Sequence, residues 1–443
     1  MAGRRQKRPA EVRIAEVQDL TQDGRGVVRV EGKVAFVHGA LPGEEVRFQY
    51  TRKGRDFDEG EVLEVLRASP DRVSPRCPHF GVCGGCAMQH LAPEAQVAAK
   101  QRVLLGTLER IAGVTPRQVL PPLTGRPWGY RRKARLTVKY VTKKGRVLVG
   151  FRERKAPYVA DIRSCEVLHP SVGQQLEALA ELVGGLEARA RIPQLEVAVG
   201  DEATALVLRH LDPLGEADRS RLVAFAQGRP GIQLWLQPAG PDSILPLWPC
   251  TAELSYRIPA HGITLHFRPL DFIQVNAGIN LQMVDRVMTL LDPGLQDRVL
   301  ELFSGLGNFT LPMARRVAEL VAVEGDPAMV RRAAENARRN GLDNTVHVAA
   351  DLFLAGDSPP WPGRPYTKVL LDPPRAGAAQ VIPWLGRLGA SRIVYVSCHP
   401  ATLARDAAEL VRGWGYELSG AGVMDMFPHT AHVESVALFE RPG

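Results

Sequence analysis

Ser397-Cys398-His399-Pro400 closes an apolar run, Ile393 to Val396. Such a run of β-branched and aromatic residues predicts a buried parallel strand. Pro400 cannot donate to a ladder, so the strand ends just before it. Cys398 then stands at the carboxyl end of a strand, where open α/β sheets bind their ligands. A lone cysteine in that position is either a buried structural thiol or a nucleophile. A second chemical position is Glu434, an acid inside an apolar strand. Burying it costs free energy unless it is paired or used; otherwise it lies on an exposed strand face. A third is Asp372, which ends the apolar run Lys368 to Leu371 and precedes Pro373-Pro374-Arg375.

Positioning these groups requires an ordered sheet, and the pattern from about residue 298 alternates strand and helix. Val299 to Phe303 reads as a strand, Ser304-Gly305-Leu306-Gly307-Asn308 as a glycine loop, and a helix begins near Phe309. Leu320 to Glu324 is a second strand ending in an acid, and Ala350-Asp351 ends a third. Gly305 and Gly307 let backbone approach a ligand closely, and an acid about twenty residues on can bind ribose hydroxyls. The loop lacks the third glycine of a dinucleotide site. It suits S-adenosylmethionine, a donor with no pyrophosphate to cradle. The expected fold of residues 269–443 is an α/β Rossmann-like methyltransferase domain. Just upstream, Gln274, Asn276 and Asn280 are polar positions in an apolar run, with Asn276 placed to cap a helix.

Six cysteines are present, and three crowd into Cys77-Pro-His-Phe-Gly-Val-Cys83-Gly-Gly-Cys86. That is metal-ligand spacing rather than disulfide spacing. Cys165 is the candidate fourth ligand. Four thiolates hold zinc or an iron–sulfur cluster, and the gap between the first two favours the cluster over a zinc ribbon. Cys250 has no partner at ligand spacing and reads as a structural thiol.

The remaining chain suggests a nucleic-acid partner. Residues 1–10 form a basic tail. Residues 11–70 contain short strands and turns, with Glu31-Gly32 predicting a hairpin, and fit an OB-type β-barrel. Residues 71–268 read as a mixed α+β central domain; Val97 to Ile111 and Leu176 to Leu186 are helical, and Leu195 to Leu208 is strand-rich. Between 126 and 163 stand thirteen Lys or Arg against two acids, an excess larger than the whole chain's +8. Arg131, Arg132, Lys133, Arg135 and Arg152 lie in this stripe beside Phe151 and other aromatics. Basic groups neutralise phosphates and aromatic faces stack on unpaired bases, so RNA is the expected partner over a merely solvated face. No apolar run spans a membrane and no signal peptide is visible, so a cytoplasmic protein is expected, monomeric by default.

Together these motifs resemble the RNA 5-methyluridine methyltransferase family, in its iron–sulfur type with a TRAM domain that acts on 23S ribosomal RNA. The resemblance runs from Asp23-Gly24-Arg25-Gly26 and Leu41-Pro42-Gly43-Glu44, which are TRAM-like, to the C-terminus. It is most specific at the cysteine loop, Asp372-Pro373-Pro374-Arg375, Ser397-Cys398 and His432-Val433-Glu434-Ser435. It implies Cys398 as nucleophile, Glu434 as base and Asp372 as a further catalytic group. It implies Gln274, Phe303, Gly305, Gly307, Asn308, Glu324, Asp351 and Asp372 as donor-binding positions. It also implies Cys77, Cys83, Cys86 and Cys165 as ligands of a cluster, expected to be 4Fe-4S. Three positions depart from the pattern: His399 stands where Asn is usual, and Glu301 and Ser304 replace Asp and Cys. Three other readings are the same chemistry on transfer RNA, a non-catalytic RNA-folding or assembly factor, and a cytosine 5-methyltransferase. The retained Cys398 and Glu434 disfavour the second, and the absence of a Pro-Cys pair disfavours the third.

Overall fold

The computed structural model describes residues 11–354 and 359–442, so the expected basic tail lies outside the described residues. The chain divides into two compact units. One holds residues up to Lys100 together with Pro428–His432, and the other holds Gln101–Phe427 and Val433–Gly443. The cysteine loop lies in the same unit as the barrel.

In the first unit, five strands close into a barrel: Val12–Leu20, Gly26–Val30, Lys33–His38, Glu45–Lys53 and Asp58–Arg67. The predicted hairpin is present. Glu31 and Gly32 both have positive φ, the two-residue turn that matches strand twist, and Val30 pairs with Lys33. Alternating residues such as Val17, Val28, Val37, Val46 and Phe48 fill the interior. Glu44 is fully buried, and its carboxylate accepts from Leu41 and Ser69 N–H and from the Arg72 guanidinium. Burial alone would raise its carboxyl; these donors hold it below the usual range.

The second unit contains two larger sheets. The first has six strands in the order Leu245–Trp248, Ile232–Gln237, Thr204–Arg209, Gln194–Val199, Lys133–Val141, Arg146–Gly150. The second has eight: Thr345–Ala349, Glu319–Glu324, Arg298–Leu302, Lys368–Leu371, Arg392–Ser397, Glu434–Glu440, Glu417–Met424 and Gln118–Val119. Its first five strands are parallel, and Glu434–Glu440 then runs antiparallel between Arg392–Ser397 and Glu417–Met424. Val299, Leu300, Val321, Leu370 and Val394 are wholly buried, as strands covered on both faces must be. Helix Ala277–Leu291 packs its buried residues into the same core. Asn276 caps it, accepting from Ile279 N–H at 3.3 Å, as expected.

Among the described residues no helix is long and apolar enough to cross a membrane. Cys250 is exposed rather than packed, against the expectation of a structural thiol.

Candidate active site

Strand register assembles the site. Ser397 pairs with Ser435 across antiparallel strands, so Cys398 and Glu434 leave the sheet opposite one another. Leu371 pairs with Leu302, which brings Asp372 beside Phe303 at the same carboxyl edge. The Asp372 N–H donates to Leu302 O at 3.3 Å. Leu302 also pairs with Val323, and Glu324 with Ala349, so Glu324 and Asp351 line that edge too. Four strand ends thus present Phe303, Glu324, Asp372 and Cys398 along one side of the sheet.

The glycine loop is built for close approach. Phe303, Gly305 and Gly307 all have positive φ, a conformation that glycine alone adopts without strain. A Cβ on Gly307 would meet Leu311 Cδ1 at 2.4 Å. Glu324 accepts from Gly305 N–H at 2.9 Å and from Asp326 N–H at 3.0 Å, which fixes its carboxylate beside the loop. Asp351 is exposed and accepts from Phe353 N–H at 2.9 Å. The rings of Phe303 and Phe353 meet at 5.7 Å between centroids. Asn308 is held more tightly than a simple ligand contact would require. It exchanges two 2.9 Å hydrogen bonds with the Asn280 amide and accepts from Tyr256 OH at 3.0 Å. A cavity of about 350 Å³ lies beside this pair, lined by Gln274, Tyr256, Asn280, Arg132, Asp201 and Arg257 among others.

Burial and charge set the protonation states. Desolvation, then the charges of Glu434 and Asp372, push the Cys398 thiol up to about 11, with Arg375 opposing them. Desolvation and the charge of Glu324 push Asp372 up to about 7. Glu301, 1% exposed, is raised to about 8, mainly by desolvation, while a 2.6 Å hydrogen bond from Thr310 OH opposes the shift. His399 caps helix Pro400–Ala408, its Nδ1 accepting from Thr402 N–H at 3.4 Å, so the departure from Asn keeps a cap in place. Arg375, Tyr256, Thr310 and the protonated Glu301 were not singled out from the sequence as site residues. Arg375 was detectable there, because it directly follows Asp372-Pro373-Pro374.

The basic stripe is partly consumed internally. Lys133, expected to face RNA, is half-buried and donates instead to the carbonyls of Pro269 and Asp271, tying down the segment before Gln274. Desolvation lowers its ammonium to about 8. Arg131 donates to Lys133 O, and Arg132 pairs with Asp201 at 2.8 Å. Arg135 pairs with Glu196 but stays 71% exposed. Arg152 is exposed and Phe151 half-buried.

In the first unit the cysteine loop folds back on itself. Phe80 N–H donates to Cys77 O, Cys83 N–H to His79 O, and Gly85 N–H to the Cys83 sulfur at 3.4 Å. Cys77, Cys83 and Cys86 are half-buried and none forms a disulfide. Cys165 lies in the second unit, its N–H donating to Gly173 O. Among the described residues no three His, Cys, Asp or Glu side chains form a group able to hold a metal. The donor chemistry, cysteines outside any disulfide with the Gly85 N–H aimed at the Cys83 sulfur, fits thiolate ligation.

A parallel sheet with a glycine loop after its first strand, acids at the next strand ends and an antiparallel closing strand defines an S-adenosylmethionine-dependent methyltransferase. A family described as tRNA (Uracil-5-)-methyltransferase matches residues 254–353 and 365–442. The chain is 55% identical to the 23S rRNA (uracil(1939)-C(5))-methyltransferase RlmD of Xanthomonas euvesicatoria pv. vesicatoria, over 96% of each chain. It is 54% identical to the RlmD of Alkalilimnicola ehrlichii, covering 100% of this chain and 99% of the relative. The structure of Pyrococcus abyssi tRNA (uracil-54, C5)-methyltransferase with S-adenosyl-L-homocysteine shares the fold: TM-score 0.73, 23% identity, 96% of this chain and 99% of that one. The chain belongs to the RNA uracil-5-methyltransferase family.

Proposed function

We propose that the protein, a cytoplasmic monomer, methylates carbon 5 of a uridine in 23S ribosomal RNA through a covalent adduct on Cys398. The observation that carries this reading is the placement of Cys398 opposite Glu434, with Asp372 and Arg375 close enough to act on the thiol. Carbon 5 of uracil is a weak nucleophile. Attack of the Cys398 thiolate on carbon 6 forms an S–C bond and moves the ring electrons onto carbon 5 and oxygen 4. S-adenosylmethionine supplies the methyl group as an electrophile beside the loop Ser304–Asn308. Carbon 5 attacks that methyl group, the bond between methyl and donor sulfur breaks, and S-adenosylhomocysteine leaves. Glu434 then takes the proton from carbon 5, the double bond re-forms and Cys398 leaves as thiolate. Asp372, with its carboxyl near 7, can hold a proton for the uracil edge or the developing enolate.

The target must first be unstacked, which costs a few kcal/mol. Exposed bases of the stripe, Arg135 and Arg152 with Phe151, supply part of that binding. The TRAM-like barrel supplies more: Arg25 lies 5.0 Å over Phe36, which meets Phe57, and Lys53 lies over Tyr50. Ribosomal RNA is preferred to transfer RNA because the relatives 54% and 55% identical over nearly the whole chain are named for 23S ribosomal RNA. Cys77, Cys83 and Cys86 hold an iron–sulfur cluster in this reading, with a structural role. Support for that role comes from Ala87 and Met88, directly after Cys86, whose N–H groups both donate to His429 O. Paired loss of iron and sulfide on Cys83→Ser, with a lower melting temperature, is the expected result.

The test is incubation with S-adenosylmethionine and extracted ribosomal or transfer RNA, comparing wild type with Glu434→Gln. Wild type should yield 5-methyluridine in 23S RNA, and the variant should accumulate a protein–RNA adduct mapped to Cys398. No adduct and no methylated uridine in either RNA would leave only an RNA-binding protein.

A further inference from the structure

Asp406 is 1% exposed, charged in kind, and unused by the chemistry above. It sits in helix Pro400–Ala408, which begins just after Cys398. Its Oδ2 accepts from the Ala378 N–H at 2.7 Å and from the Tyr395 hydroxyl at 2.7 Å. Its Oδ1 accepts from Arg405 Nε at 2.8 Å, and the same guanidinium donates to Ala376 O at 3.0 Å. One carboxylate therefore joins three pieces of the site. Tyr395 lies on the strand that delivers Cys398. Ala376 and Ala378 lie on the loop that leaves Asp372. Asp406 itself lies on the helix that follows the thiol.

That loop needs an outside anchor. Pro373 and Pro374 have no N–H, so neither can donate a ladder bond, and the Pro374 carbonyl is taken by the Gly377 N–H within the loop. Gly377 has φ of +78°, and a Cβ on it would stand 2.5 Å from Arg405 Nη2, 2.8 Å from Asp406 Oδ2 and 2.9 Å from Thr402 Cβ. The loop backbone is thus pressed onto the helix at the one residue able to come so close. A buried, hydrogen-bonded acid is a costly way to stabilise a fold, and an apolar plug would serve as well. What it adds is fixed geometry. Both Asp372 and Arg375, at the start of the loop, act electrostatically on the Cys398 thiol.

We propose that Asp406 is a positioning residue that pins the Asp372–Ala378 loop to the Cys398 strand and helix, keeping Asp372 and Arg375 in register with the thiol. This rests on the reading of Cys398 as nucleophile. The experiment uses the full-length protein, as wild type, Asp406→Asn and Tyr395→Phe. The readouts are kcat and KM for ribosomal RNA, binding of S-adenosylhomocysteine, and the rate of adduct formation on an RNA carrying 5-fluorouridine, whose fluorine cannot leave as a cation. Asp406→Asn should bind the homocysteine product within twofold of wild type, yet lose at least tenfold in kcat and in adduct rate, with KM little changed. Tyr395→Phe should show the same split in smaller measure, about threefold. If the folded fraction of both variants forms the adduct at the wild-type rate, with only the melting temperature lowered, Asp406 is merely structural and the proposal falls. If wild type itself forms no adduct, the nucleophile assignment fails and takes this inference with it.

Discussion

A thiol pushed up to about 11 is almost wholly protonated at neutral pH, so Cys398 has to be ionised as the target docks. Its environment says which charges control that step. Glu434 raises the thiol and Arg375 lowers it. Replacing Glu434 by Gln should therefore speed alkylation of the free enzyme by iodoacetamide at mildly alkaline pH, by roughly two- to tenfold. Arg375→Ala should slow it by a similar factor, and mass spectrometry of the Cys398 peptide reads both. Glu301 makes a separate prediction about stability. Its carboxyl is raised from 4.5 to about 8 in the fold. Well below 4.5 both states hold the proton and nothing is lost. Between 4.5 and about 8 the unfolded chain releases a proton that the native state keeps, so native stability falls as pH rises, then levels off. Glu301→Gln removes that slope. Urea denaturation should show the variant gaining on wild type between about pH 5 and about pH 8.5, by up to a few kcal/mol.

At the scale of elements, the glycine loop is positioned by its neighbours as much as by its own sequence. The Asn280–Asn308 exchange joins the helix Ala277–Leu291 to the loop, and Tyr256 reaches in from the strand Leu254–Ile258. Asn280 and Tyr256 are buried, so removing one partner strands polar groups. Asn280→Ala should cost about 1–3 kcal/mol of stability. It should also weaken S-adenosylhomocysteine binding by roughly tenfold, because the loop then samples other positions. Calorimetric titration and thermal melting separate the two effects.

For the whole molecule the governing quantity is charge that RNA can reach. The formal charge is +8, but Arg132, Lys133, Lys144 and Arg146 already bind protein acids or carbonyls. The bases left most exposed, Arg152 and the Glu196-paired but 71% exposed Arg135 among them, set the counterion release. RNA affinity should fall as salt rises. Each of Arg135→Ala and Arg152→Ala should reduce the slope of log affinity against log salt by about 0.7, the value for a single-stranded contact. Lys133→Ala should leave that slope unchanged while disturbing the segment before Gln274.

Much was legible along the chain because local pattern carries it. Apolar runs ending in Ser397, Leu371 and Glu324 marked strand ends, a Gly-x-Gly step marked the donor loop, Glu31-Gly32 marked a hairpin and Asn276 marked a cap. Each depends on residues a few positions apart. Cys398, Glu434 and Asp372 were recognisable as chemical groups from their types and flanking residues. Their approach to one another was decided by register between strands distant in sequence, Ser397 with Ser435 and Leu371 with Leu302. Tertiary packing alone decided that Lys133 is spent on carbonyls, that Glu301 keeps a proton and that Asp406 ties three elements together. Desolvation and hydrogen-bond partners are properties of the folded neighbourhood, and residue type and spacing do not encode which neighbour arrives.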